Sequence, residues 1–219
     1  MRQFFHNNSL SIVMLSLFAF SLVGQTTTGL RVFNEEQTSH GLERVDTFHY
    51  VRTGHFVEAV FENWESEFLQ MGMYVLLTVF LFQKGSPDTN DPDEPKEMDA
   101  GSIGHVDVPW PVRRGGWALR IYAHSLSLSL FLLFLVSFVL HGAGGAKAAS
   151  ADSLAHGGEA VTFLAYFGTS RFWFESLQNW QSEFLSVPVL VILSIFLRER
   201  GSAESKPVDE PHLESRPSH

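Results

Sequence analysis

The residues best equipped for chemistry are ten histidines and a repeated acidic string. His40-Gly41-x-Glu43 and His156-Gly157-x-Glu159 each place an imidazole three positions before a carboxylate, a pair that suits a divalent cation. That spacing is common in any chain, and a glycine beside histidine more often marks a turn or a helix end. Neither a metal nor a cofactor is therefore expected. Bis-histidine haem needs imidazoles on facing helices, and the second and fourth apolar stretches contain none, while His6, His124 and His141 flank the other two. No GxSxG, HExxH or P-loop pattern occurs, and Ser125, Ser127 and Ser129 alternate along an apolar segment. Small hydroxyl residues there let membrane helices pack closely. An enzyme is not expected.

The acidic string is NWESEFL at residues 63–69, repeated as NWQSEFL at residues 179–185. Both copies place a tryptophan, Trp64 or Trp180, three residues before a glutamate, Glu67 or Glu183, on the same helical face. Five residues after each glutamate stands a residue that weakens a helix, Gly72 in one copy and Pro188 in the other. These six residues are the expected functional or interface positions. Counted back from the ends of the apolar stretches that follow them, both carboxylates are expected inside the outer leaflet of a bilayer or at its boundary, where an ionised carboxylate needs a partner, a proton or interfacial water.

Four apolar blocks would position them: residues 10–23 (LSIVMLSLFAFSLV), 68–82 (FLQMGMYVLLTVFLF), 126–140 (LSLSLFLLFLVSFVL) and 184–197 (FLSVPVLVILSIFL). They contain no Asp, Glu, Lys or Arg, and are apolar around the whole helix rather than along one stripe. Each is shorter than the roughly 20 residues needed to cross a bilayer, but amphipathic flanks extend them. The expected fold is all-α and integral to the membrane, with four spans at about 7–24, 63–83, 118–140 and 178–197. Interfacial helical segments precede the second and fourth.

The tryptophan strings are 116 residues apart, and the same shift aligns Tyr50 with Tyr166, Gly85 with Gly201 and Asp93-Glu94-Pro95 with Asp209-Glu210-Pro211. About a third of positions in residues 9–95 are identical to their counterparts, against about one in twenty by chance. The pattern reads as a duplicated two-span unit, with repeats at 1–95 and 117–211, a disordered linker at 96–116 and a disordered tail at 201–219. Two spans per unit give both copies the same orientation. The first block matches the third, which is internal, so it reads as a retained helix rather than a cleaved leader.

Basic residues set the orientation. Arg2, Lys84, Lys96, Arg113, Arg114, Arg120, Arg198, Arg200, Lys206 and Arg216 lie at the N-terminus, linker and tail. The other two loops hold only Arg31, Arg44, Arg52, Lys147 and Arg171. That bias puts both termini in the cytoplasm. A formal charge of −9 gives no reason to expect nucleic acid, and the absence of cysteine excludes disulfides and thiolate chemistry.

The strings NWESEFLQM and NWQSEFL, the endings VFLFQKGSP and IFLRERGSAESKPVDEPH, and PWPVRRGGWALRIYAHSLSLSLFLL together resemble an uncharacterised bacterial membrane family, known only as a domain of unknown function. The resemblance covers essentially the whole chain. It implies a bacterial origin, a four-span protein of the cytoplasmic membrane and no assigned catalytic residue. The second loop reads AASADSLAHG where the first reads VFNEEQTSHG, so a role resting on Asn34, Glu35 and Glu36 is expected in the first half alone. Two classes of function remain: a non-enzymatic envelope scaffold, sensor or partner-binding protein, and alternatively a small-solute or ion transporter or channel. Absence of charge from the span centres favours the first. The expected partners are the lipid bilayer and a second copy or another membrane protein.

Overall fold

The computed structural model describes residues 2–87, 89 and 109–212. Among them the ordered elements are helical: α1 (Arg2–Asn7), α2 (Ser9–Ser39), α3 (Thr47–Tyr50), α4 (Gly54–Phe80), α5 (Trp110–Arg114), α6 (Gly116–Ala123), α7 (Ser125–Ala155), α8 (Phe163–Phe167) and α9 (Ser170–Phe196). Three of these, α2, α7 and α9, are long and apolar enough to cross a membrane. The helix α4 has less continuous apolar sequence, because Glu65, Glu67 and Gln70 interrupt its middle and it ends at Phe80.

The long helices outrun the apolar blocks that nucleate them. Helix α2 continues to Ser39, since the hydroxyls of Thr26 and Thr28 donate to the carbonyls of Leu22 and Gly24 and so need no water. The loops of about 40 residues expected between spans therefore shrink to short connections around α3 and α8. Each connection is capped by a side chain. Asp46 accepts from the His49 amide at 2.8 Å before α3, and Thr162 accepts from the Ala165 amide at 3.3 Å before α8. The Thr53 and Thr169 hydroxyls likewise accept from the Phe56 and Phe172 amides at the starts of α4 and α9. The interfacial segments expected before the second and fourth spans are the first turns of α4 and α9, continuous with the apolar part. Helix α9 runs through Pro188 without ending.

Two compact units form, one of Met1–Phe61 with Val139–Phe172, the other of Glu62–Phe138 with Trp173–His219. In the first, α4 and α7 cross with backbones nearly touching, at Gly54 and Gly144. A Cβ on Gly54 would lie 2.5 Å from the Gly144 carbonyl oxygen, so only glycine fits. Asn34 and Ser150 tie their loops down in parallel fashion. The Asn34 amide exchanges hydrogen bonds with both Val45 backbone groups, and the Ser150 hydroxyl does the same with Val161.

In the second unit, the Trp180 ring packs against Phe134 and Phe138, and Gly72 faces Leu130 and Phe131. The linker expected at 96–116 lies outside the described residues as far as residue 108. Beyond that it is partly helical, because Pro111 favours a first turn and α5 ends at Gly115 with φ 67°. The tail expected to be disordered from residue 201 instead folds back as far as residue 212. The Arg198 guanidinium donates to the Pro207 and Glu210 carbonyls at 3.1 and 2.9 Å. Lys206, only 4% exposed, pairs with Glu210 at 3.5 Å.

Outside these contacts the long helices turn large apolar side chains outward. Leu10 and Phe20 on α2 are 76% and 78% exposed, and Leu126, Leu132, Leu185 and Phe196 each more than half. Such girth without a protein covering calls for lipid.

Candidate functional site

Two buried ionisable groups belong to residues outside the repeated strings. In the first unit, Glu58 of α4 is 6% exposed and His141 of α7 is fully buried. Their ligand atoms lie within 4.8 Å of each other. The close crossing at Gly144 delivers Glu58 here, since the glycine lies against the Glu58 backbone. The Tyr166 hydroxyl donates to Glu58 Oε1 at 2.7 Å, and the Arg171 guanidinium stands 3.7 Å from the same oxygen. Phe172 covers the His141 ring at 4.9 Å between centroids. A carboxylate held by a phenol and a guanidinium beside an imidazole balances its own charge, which removes most of the cost of burial.

A second buried group sits in the other unit. Glu65 is fully buried and accepts from the Trp180 indole Nε1 at 2.9 Å. One turn away, Asn179 donates to Glu62 Oε1 at 2.5 Å, and the Gln70 amide donates to the Glu183 carbonyl and the Ser186 hydroxyl, both at 2.8 Å. These bonds stitch α4 to α9 by polar side chains, as membrane helices commonly are.

Of the positions singled out by sequence, Trp180 does meet a glutamate, but the partner is Glu65 rather than one three residues away on its own helix. Glu67 is exposed, Glu183 and Trp64 are half-buried, Gly72 is buried and Pro188 is exposed. Glu183 contributes its backbone carbonyl to Gln70. His40 and His156 come together, with ring centroids 5.8 Å apart, while Glu43 and Glu159 remain exposed in the loops that follow. Glu58 escaped notice, and His141 and Arg171 were read only as an imidazole flanking a span and a loop cation, because their counterparts under the 116-residue shift are Phe174, Gln25 and His55, so no repeated string flags them. Tyr166 did carry a signal, as the match of Tyr50.

Near Tyr50, His55 packs beside Phe33, with its Nδ1 3.3 Å from the tyrosine hydroxyl. Burial holds the His55 imidazole below its ordinary pKa; Glu36 opposes that shift and Arg171 adds to it. Burial pushes the Tyr50 phenol up.

Fold and site thus define a protein whose described residues form helices and no strand, three of the helices long and apolar enough to cross a membrane, with ionisable groups tied up among them. The chain belongs to the family described as Domain of unknown function (DUF6766), whose model matches residues 1–216. No curated protein and no solved structure matches it.

Proposed function

We propose that this is a non-enzymatic, four-span protein of the bacterial cytoplasmic membrane, built from a duplicated two-helix unit, that acts as a scaffold, sensor or partner-binding protein. The observation that carries the membrane reading is the exposed apolar girth of α2, α7 and α9. Four crossings are supported by matched lengths. Helices α2 and α7 have 31 residues each, α4 and α9 have 27 each, and both pairs begin 116 residues apart. Duplication would give α4 the path of α9. Cytoplasmic termini follow from the bias of basic residues. The non-enzymatic reading is supported by the engagement of Glu58 and Glu65 with internal donors, which holds helices together.

A second reading, proton or small-cation translocation, is favoured by one observation, the burial of Glu58 beside His141. Ionisable groups among membrane helices are functional sites by default. Reconstitution into liposomes carrying a pH-sensitive dye separates the two. The scaffold reading expects vesicles as tight as empty ones, and a partner recovered by affinity purification from native membranes. Proton flux abolished by Glu58→Gln would replace it with the transport reading.

A further inference from the structure

We propose that His40 and His156 together form a binding site for one divalent transition-metal ion of the Zn2+, Ni2+ and Cu2+ type. The two histidines are 116 positions apart in sequence, yet their rings stand 5.8 Å apart between centroids with planes at 82°. Each follows the last residue of a 31-residue helix, α2 or α7. Each is followed by a glycine in the left-handed region, Gly41 at φ 74° and Gly157 at φ 78°, which turns the chain away. Both imidazoles are exposed, so an ion reaches them directly.

The spacing suits shared coordination. A metal–nitrogen bond of about 2.0–2.1 Å places the ion roughly 3.2 Å from each ring centre. Two rings on one ion then lie about 5.2 Å apart at a tetrahedral angle and about 5.8 Å apart at roughly 130°. Small side-chain rotations cover that difference. His156 is already oriented for the task. Its Nδ1 lies 2.9 Å from the Asp152 carbonyl oxygen and 3.4 Å from the Asp152 carboxylate. The ring donates through Nδ1, which leaves the Nε2 lone pair available, the tautomer a metal-bound imidazole adopts. Water would fill the remaining positions. Imidazole donors with carboxylate or water select borderline metals over Mg2+ or Ca2+.

The test uses the full chain, purified in detergent with an affinity tag free of histidine and titrated calorimetrically with ZnCl2. One ion per chain is expected, with affinity in the micromolar range, and no binding of Mg2+ under the same conditions. His40→Gln and His156→Gln should each weaken Zn2+ binding at least about tenfold, whereas His124→Gln should leave it unchanged. Thermal unfolding supplies an independent readout. Zn2+ should raise the midpoint of the parent chain, and the two glutamine variants should keep the metal-free midpoint but lose the rise. Absence of Zn2+ binding, or binding that survives both substitutions, would overturn the site and reduce the pair to two rings in edge-to-face contact.

Discussion

Replacing Gly144 with alanine should destabilise the protein, although the same change at an open helical site should stabilise it. A Cβ at Gly144 would sit 2.9 Å from Glu58 Cα and 3.0 Å from the Val57 carbonyl carbon, and closer still to the Glu58 amide nitrogen. Ordinary carbon contacts lie near 3.5–4.0 Å, so α4 and α7 must part by about 0.5–1 Å at their crossing. The obstruction is backbone, which cannot rotate aside as a side chain would. Overpacking of this kind costs about 1–3 kcal/mol. Opposing it, alanine is the better helix former by about 0.8–1 kcal/mol. Gly24 on α2 isolates that second effect, because a Cβ there meets nothing within 4 Å. The gap between Gly144→Ala and Gly24→Ala is thus the overpacking cost alone. At roughly 2–4 °C per kcal/mol for a chain of this size, their melting midpoints should differ by roughly 2–12 °C, with Gly24→Ala the higher. Thermal unfolding in one detergent, followed by circular dichroism, measures it. Equal midpoints would refute the close crossing. Gly54→Ala, aimed at the Gly144 carbonyl, should fall with Gly144→Ala.

Three further outcomes follow from the same geometry. Tyr166→Phe removes the hydroxyl that donates to buried Glu58 and should cost about 1.5–3 kcal/mol in the same unfolding assay; a neutral result would mean the carboxylate does not depend on it. Trp180→Phe keeps the ring among Phe134 and Phe138 but deletes the donor to Glu65, so it should cost about 1–3 kcal/mol, and Glu65→Gln in the same chain should make the two losses non-additive. The lowered pKa of His55 sets a pH dependence. Between that value and about 6.5, the unfolded chain binds the proton more readily than the folded one. Stability from this group is therefore complete above about pH 6.5 and falls as the pH drops below it. His55→Gln should flatten that slope in melting curves from pH 7.5 to 5, and an unchanged slope would assign it to other groups.

Much of the architecture was legible in the sequence for identifiable reasons. Full-circumference apolarity in blocks such as LSLSLFLLFLV marks a helix whatever its neighbours are, and the three membrane-length helices lie where those blocks lie. The ends were not legible. Helix α2 runs 16 residues past the first block, because Thr26 and Thr28 satisfy their hydroxyls on their own helix. Choice of face was harder. NWESEFL offers Glu65 and Glu67 two positions apart, and spacing within one helix links Trp64 to Glu67. The structure buries Glu65 instead, because its partner, Trp180, comes from another helix. The folded tail escaped composition for a similar reason, since Arg198 is held by carbonyl acceptors, which every residue carries.

Alkaline phosphatase fusions test most directly whether the chain crosses the membrane four times. The enzyme is active only outside the cytoplasm, so fusions after His40 and after His156 should be active and a fusion after Pro92 inactive. The Pro92 fusion decides the matter because it reads the crossing by α4, the one of the four long helices that is not among the three with a continuous membrane-crossing apolar stretch. Activity after Pro92 together with activity after His40 would mean that α4 does not cross, and the duplicated four-span arrangement would be wrong.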